Sequence, residues 1–299
     1  MWGVLGIFSA VLLGIYDVFK KTSLNNNAVL PVLFFSILSS AFIFAVAIIG
    51  SALAPNVFQS LHLYVPPLTT WEHIRIFIKA LIVLSSWILA FFAIKHLPLS
   101  MVSPIRATAP LWTLLGALLL FHEKLNALQW AGLITTLFFF FLFSTTGKRE
   151  GIRFSRNKWI FLIIGATLLG SASSLYDKYI IRAIDRLAVQ SWTGIYQLAL
   201  MLGVTGLLWY PSRKKHTPFQ WKWTIPLIGL FLTLSDFFYF YALSNPESLI
   251  AILSGIRRSG VVIPFIFAAL FLKEKNVKQK GIYLVGIIFG VTLMALGSR

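Results

Sequence analysis

Apolar residues occur along this chain in long runs, separated by short segments in which charged residues concentrate. Most runs approach the roughly 20 residues that an α-helix needs to cross a bilayer. The first run lacks a basic leading segment and a small-residue cleavage site, which indicates a retained helix and not a signal peptide. The pattern predicts ten helices: Trp2–Phe19, Val29–Leu53, Ile74–Ile94, Leu99–Phe121, Ala127–Thr146, Trp159–Ile181, Val189–Tyr210, Trp223–Ser244, Ser248–Leu272 and Gly281–Gly297.

Composition places these helices in a membrane. Of the 299 residues, 58% are hydrophobic and 12% are charged, and the mean hydropathy is +0.83. A soluble domain of this length has too much surface to hide so many apolar side chains. We therefore predict an all-α, multi-pass integral membrane protein, located in the plasma membrane, or the inner membrane of a bacterium. Either a monomer or a homodimer is compatible with the sequence.

The net charge of +17 does not indicate nucleic-acid binding, because Lys and Arg concentrate in the short loops between predicted helices. Most of them, including Lys20 and Lys21, lie on the side opposite the N terminus. Basic loops are typically cytoplasmic, so the loop charges place both termini outside. Cysteine is absent, which excludes disulfides and cysteine nucleophiles.

The two halves of the sequence are related. A shift of 160 positions places Tyr16-Asp17 on Tyr176-Asp177, and a shift of 151 places Arg106–Lys124 on Arg257–Lys275 without a gap. The matches predict a five-helix repeat at 1–147, a basic linker at 148–158 and a second repeat at 159–299. An odd number of helices per repeat inverts the second copy, as in many secondary transporters with a central cavity.

Small residues every fourth position mark corresponding faces of the first and sixth helices: Gly6, Ala10 and Gly14 match Ala166, Gly170 and Ser174. Such faces allow neighbouring helix backbones to approach closely.

Ionisable residues within predicted helices indicate function, because charge inside a membrane is costly. Two interpretations are open for the aspartates and arginines among them. In the first, they neutralise one another in Asp–Arg pairs. In the second, the arginines face a wet cavity and bind carboxylate or phosphate. The aspartates would then orient the arginines or carry a coupling proton. The acidic candidates are Asp17, Asp177 and Asp236, and the basic ones are Arg106, Arg257 and Arg258.

Arg257 and Arg258 project about 100° apart on a helix, so we expect one to pair with an acid while the other faces the cavity. For Lys79 and Lys178 the simplest interpretation is that their ammonium groups reach the membrane surface. The Glu123-Lys124 and Glu274-Lys275 pairs are interpreted as surface markers.

Several aromatic residues are further candidates for the cavity wall. Tyr16 and Tyr176 adjoin the aspartates, and each is either a local hydrogen-bond partner or a donor to substrate. Tyr239 follows Asp236 by one helical turn, and Trp87 occupies the place of Asp236 in the first half.

Motifs of enzymes are missing. The sequence contains no phosphate-binding G-x-x-x-x-G-K-[ST] loop, no H-E-x-x-H and no G-x-S-x-G. We therefore predict that the protein is not an enzyme and uses no cofactor or metal.

The closing turns of the fourth helix in each half, "FHEKLNALQWAG" and "LKEKNVKQKGIY", together with two five-helix repeats, resemble the EamA-like branch of the drug/metabolite transporter superfamily. The resemblance implies a cavity lined by the first, third, fourth, sixth, eighth and ninth helices. Relatives export metabolites or exchange sugar phosphates and nucleotide sugars, and the sugar-phosphate exchangers carry a basic pair similar to Arg257-Arg258. Most members keep both termini in the cytoplasm, which conflicts with the loop charges.

The sequence thus predicts a secondary-active exporter or exchanger of small polar metabolites, anionic or zwitterionic, working by alternating access. Two alternatives are a translocase of lipid head groups or lipid phosphates, and a membrane scaffold without transport. A sealed centre with three Asp–Arg pairs would favour the scaffold, and a wet central pocket would favour transport. The predicted substrate-binding residues are Tyr16, Trp87, Arg106, Tyr176, Tyr239, Arg257 and Arg258; those for charge pairing or proton coupling are Asp17, Asp177 and Asp236.

Overall fold

The described residues of the chain form helices and connecting turns, with no strand among them. A computed structural model describes residues 2–97, 105–106, 108–145, 157–215, 217–271 and 277–297. The predicted basic linker lies almost entirely outside these ranges, as do Glu274 and Lys275.

Twelve α-helices are defined in these ranges. The first six are α1 (Trp2–Leu24), α2 (Val29–Leu53), the short α3 (Pro55–Ser60), α4 (Thr70–His96), α5 (Ala109–Phe121) and α6 (Ala127–Thr145). The second six are α7 (Lys158–Ile181), α8 (Arg186–Val204), α9 (Thr224–Leu243), α10 (Ile250–Arg258), α11 (Val262–Phe271) and α12 (Val277–Leu296).

Helix is present in every segment predicted to be helical, although several ends differ. Within the described ranges, six helices are long and apolar enough to cross a membrane, and three shorter apolar helices accompany them. Helix α1 continues to Leu24, five residues beyond the predicted end, so Lys20 lies within the helix and not in a loop. The predicted ninth helix is divided by a 3-10 turn at Ser259–Val261. The count of ten membrane crossings stays a prediction.

The outer faces of the helices are apolar. Phe42, Leu119 and Leu207 expose 70–79% of their surface, whereas several inward-facing serines and threonines are buried, among them Ser9, Thr113 and Ser235 at 0–1%. A soluble protein of this size does not expose so many large apolar side chains together. The chain is therefore an integral membrane protein whose exterior contacts lipid.

Helices of the first half pack mainly against helices of the second. Helix α1 packs on α9 and α4 packs on α7; α2 packs on α9 and α8 packs on α4; α5 packs on α7 and α10 packs on α1. The pairs α2–α8, α5–α10 and α6–α12 also lie in contact. Exchanging α1, α2, α4, α5 and α6 with α7, α8, α9, α10 and α12 converts each of these contacts into another of the set or into itself.

Glycines permit the closest of these approaches. A Cβ atom on Gly14 would collide with the carbonyl oxygen of Gly260, and one on Gly260 with the carbonyl oxygen of Ala10. The small-residue face predicted on the first helix therefore contacts the 3-10 turn between α10 and α11. The corresponding face of α7, the sixth helix predicted from the sequence, also lies close to its neighbour. The carbonyl oxygen of Ala166 there accepts a 2.8 Å hydrogen bond from Ser86 of α4.

Gly132 provides a test of this close packing. A Cβ atom there would lie 2.6 Å from the carbonyl oxygen of Gly290 and 2.7 Å from the backbone nitrogen of Met294, neither of which can rotate away. We expect Gly132→Ala to separate α6 from α12 and to lower the free energy of unfolding by about 1–3 kcal/mol.

Thermal or denaturant unfolding in detergent measures this loss. Gly203→Ala is the matched control, because a Cβ atom there would lie within 4 Å of no atom of another helix. That change is expected to be neutral or to stabilise the helix by up to about 1 kcal/mol. Equal stabilities for the two variants would contradict the proposed contact.

Candidate functional site

The interior contains four ion pairs among the described residues. They are Asp17–Lys20, Asp177–Lys79, Glu123–Lys178 and Asp236–Arg257. Three of the four cations are lysines. The predicted pairing of aspartates with arginines is therefore met only by Asp236 and Arg257 among the described residues.

Helix α1 contributes a compact group near its C-terminal end. Asp17 accepts a hydrogen bond from Lys20, one turn further along the same helical face. The Lys20 ammonium also lies 4.4 Å from the ring centre of Tyr16, which is buried beneath it. The sequence predicts a helix that ends at Phe19 and places Lys20 in a loop, so it does not predict this contact.

Two arginines join this group without forming an ion pair of their own. Arg106 and Arg258 both lie close enough to Asp17 to interact with it electrostatically, and they repel each other. Neither forms a salt bridge within the described part of the chain. We call Asp17, Lys20, Arg106 and Arg258 the cationic cluster, which sets three positive side chains against one carboxylate.

Arg257 and Arg258 have separate surroundings, as their angular separation on the helix predicts. Arg257 donates a hydrogen bond to Asp236 of α9, and its guanidinium lies 4.3 Å from the ring centre of Tyr239. Tyr239 is almost fully buried, with 1% of its surface exposed. Asp236, Tyr239 and Arg257 therefore form one contact group, and Arg258 belongs to the cationic cluster.

Lys79 does not extend to the membrane surface. Only 4% of its surface is exposed, and its ammonium donates to Asp177, which links α4 of the first half to α7 of the second. Tyr176 points elsewhere than Asp177: its hydroxyl donates a 3.2 Å hydrogen bond to the carbonyl oxygen of Arg75. The two Tyr-Asp pairs thus have different partners: Tyr16 lies against Lys20 of the cationic cluster, and Tyr176 bonds to the backbone of α4.

A cavity lies between α2, α4, α8 and α9. We call it the glutamine cavity. The space open to the centres of water molecules is about 50 Å³, several times the roughly 10–15 Å³ that one water needs. Its polar lining residues are Ser36, Ser40, Lys79, Trp87, Gln190, Thr193, Gln197, Thr233 and Asp236.

The cavity includes two predicted site residues, Trp87 and Asp236, and several that the sequence analysis missed. Gln190 and Gln197 are seven positions apart, which places both on one face of α8, and both are 5% exposed. Two glutamines at this spacing inside an apolar segment were the available signal. The prediction drew its candidates from ionisable and aromatic residues and not from amides, and the family resemblance implied a cavity that does not include the second and seventh helices.

Glu123 is buried and not a surface marker as predicted. Its carboxylate accepts hydrogen bonds from the Lys178 ammonium at 2.6 Å and from the backbone N–H groups of Ile250 and Ala251 at 2.8 and 3.3 Å. The ammonium also donates to the Ser248 carbonyl oxygen. Lys178 therefore does not extend to the membrane surface either. This Glu123 network joins the end of α5, helix α7 and the first turn of α10, where a carboxylate interacts favourably with the helix dipole. Lys124, next in sequence, is exposed.

A protein known from a crystal structure superposes with a TM-score of 0.73 at 15% identity, covering 99% of this chain and 98% of its own. At that identity the likeness shows a shared fold. No curated protein matches the sequence significantly.

The EamA-like transporter family matches residues 1–145 and 157–296, nearly the whole chain in two blocks. The blocks coincide with the two halves whose helices pack across each other. The family consists of membrane transporters of the drug/metabolite superfamily and not of enzymes, in agreement with the missing catalytic motifs. This chain belongs to the EamA-like transporter family.

Proposed function

We propose that this transporter carries small polar metabolites that are anionic or zwitterionic, such as amino acids, organic anions or sugar phosphates. The proposed mode is secondary-active export or exchange by alternating access, and the proposed location is the plasma membrane, or the inner membrane of a bacterium. The supporting observation is the cationic cluster, in which Arg106 and Arg258 lack an ion-pair partner among the described residues.

The charge balance of the cluster favours an anion. Charges inside a membrane are usually neutralised by partners in the protein. Here Asp17 is the one carboxylate in the cluster, and Lys20 already occupies it. A carboxylate or phosphate group of a substrate would supply the missing negative charge, and a guanidinium binds either group with two parallel hydrogen bonds.

The packing of the halves supports alternating access. Each half contributes corresponding helices to the contacts, so exchanging the conformations of the halves preserves the set of helix pairs. In inverted-repeat transporters this exchange presents a central site first to one side of the membrane and then to the other. The inversion and the boundaries of the repeats are part of this proposal.

The scaffold alternative predicts three Asp–Arg pairs and a sealed centre. Among the described residues there is one such pair, and a cavity with polar walls lies beside it. These observations favour transport over a purely structural role.

Arg258→Met tests the proposal, because removing a cation that has no ion-pair partner in the described part of the chain separates function from stability. We expect the variant to be at least as stable as wild type, since it loses a charge that Arg106 and Arg257 repel. We also expect uptake of labelled organic acids, amino acids or sugar phosphates into proteoliposomes to fall about tenfold or more. Arg106→Met should behave in the same way.

Arg213→Met is the control, because Arg213 lies on the surface and stacks on Tyr210. Undiminished uptake of every substrate by both core variants would overturn the role of the arginines. Movement of labelled lipids without uptake of any soluble anion would instead support the lipid translocase.

A further inference from the structure

The glutamine cavity contains a buried hydrogen-bond donor without an acceptor in the described part of the chain. The Gln197 side chain is 5% exposed and lines the cavity, and its amide nitrogen finds no hydrogen-bond partner among the described residues. Burying an N–H group without a hydrogen-bond partner is costly in free energy. Such a donor therefore points to an acceptor that arrives with a ligand.

The neighbouring hydroxyl groups present the complementary chemistry. Ser36 and Thr193 donate their protons to backbone carbonyl oxygens of their own helices. Thr233 donates to Ser40, which in turn donates to the Gly229 carbonyl oxygen. With the protons engaged, these oxygen atoms offer lone pairs. They require a hydrogen-bond donor on the ligand.

Charge does not dominate this cavity. Its two ionic side chains, Lys79 and Asp236, are each paired with a partner of opposite sign, Asp177 and Arg257 respectively. A bare carboxylate only accepts hydrogen bonds at neutral pH and would leave the serine and threonine oxygens unmatched. A hydroxyl group both donates and accepts hydrogen bonds, so it can bind the Gln197 amide nitrogen as well as the serine and threonine oxygens.

The glutamine cavity adjoins the cationic cluster. Asp236 lines the cavity and binds Arg257, whose chain neighbour Arg258 belongs to the cluster. Tyr16 lies close enough to Asp17, Asp236 and Arg257 to interact electrostatically with each of them. One small molecule with an anionic end and a neutral end would therefore meet two chemically different sites.

We infer that the glutamine cavity binds the hydroxyl-bearing, uncharged body of the substrate, and that Gln197 selects for it. This inference rests on the anion transport proposed above and narrows it: the substrate class is a short hydroxylated anion, and alkyl anions of the same length bind poorly. Gln190 contributes to the same wall, held by a 2.9 Å hydrogen bond to the Thr233 carbonyl oxygen.

Matched pairs of anions test the inference by ligand-induced thermal shift of the purified protein. Glycerate is compared with propionate, and glycerol 3-phosphate with propyl phosphate, because each pair has the same charge and carbon count and differs in hydroxyl groups. We expect wild type to bind the hydroxylated member of at least one pair about tenfold more tightly. Gln197→Met should reduce that preference to less than about threefold.

Gln129→Met is the matched control, since Gln129 is also 5% exposed but belongs to the α6–α12 contact. It should keep the preference whatever its effect on stability. Binding of inorganic phosphate should be the same in Gln197→Met as in wild type, because the anionic end lies in the other site.

The outcomes separate the two proposals. An undiminished preference in Gln197→Met, or equal binding of hydroxylated and alkyl anions by wild type, overturns the role of the glutamine cavity and leaves the anion site standing. Failure of all four anions and of phosphate to bind wild type overturns the anion site and this inference together.

Discussion

Glu123→Ala is expected to lower the free energy of unfolding by about 3–5 kcal/mol, because it removes one partner of a buried ion pair. The substitution leaves the Lys178 ammonium, 8% exposed, without its carboxylate. It also frees the backbone N–H groups of Ile250 and Ala251, which begin α10. Chemical unfolding in detergent, followed by circular dichroism or by tryptophan fluorescence, measures the change.

The adjacent residue provides the control for this prediction. Lys124→Ala changes an exposed side chain in the same turn, and surface changes of this kind usually alter stability by less than about 0.5 kcal/mol. The double variant Glu123→Gln/Lys178→Met removes both charges. Because no isolated charge remains, it should be more stable than Glu123→Ala. If Glu123→Ala unfolded with the wild-type midpoint, the buried network would be wrong.

Lys79→Met is expected to have an effect of similar size, about 3–5 kcal/mol, since it leaves Asp177 charged and unpaired. This pair is the ionic link between α4 and α7, which come from different halves. The variant should therefore loosen the contact between the halves as well as lower overall stability. Unfolding midpoints and hydrogen exchange of α4 and α7 report the two effects.

A combined variant identifies the cause of the loss. Lys79→Met with Asp177→Asn removes both charges and is expected to recover most of the stability, because no isolated charge remains. Lys95→Met is the control on the same helix, as Lys95 is exposed. A double variant no more stable than Lys79→Met would show that side-chain packing and not charge pairing accounts for the loss.

The double variant also tests proton coupling. If Asp177 carries the coupling proton, the folded double variant should keep exchange of substrate but lose accumulation driven by a pH gradient. Accumulation at the wild-type level would exclude Asp177 from that role.

Sequence reasoning worked where the relevant physics is local. The length and hydropathy of each apolar run predict a helix. The match between the halves pairs Asp17 with Asp177 and Arg106 with Arg257. Helix geometry alone separated Arg257 from Arg258. The same local reasoning failed at helix ends, where the hydropathy drop at Lys20 was taken as the end of a helix that continues to Leu24.

Pairing among the charges required the tertiary structure. Lys79 and Asp177 are 98 positions apart and Lys178 and Glu123 are 55 apart, and no periodicity connects residues at such separations. Within the membrane, several lysine and arginine side chains were long enough to be the partner of each aspartate. Which of them approached was decided by the packing of α4 on α7 and of α1 on the turn between α10 and α11.

The chain alone therefore determines that this is a helical membrane protein of duplicated sequence, with ionisable residues placed inside lipid at a high cost in free energy. Only the folded arrangement decides that lysines neutralise three of the carboxylates and that Arg106 and Arg258 form no ion pair within the described residues, which is the basis of the proposed anion site. It also decides that two glutamines of α8 face a cavity. The physical reason is that hydropathy acts on each segment separately, whereas charge neutralisation and cavity shape depend on distances between segments.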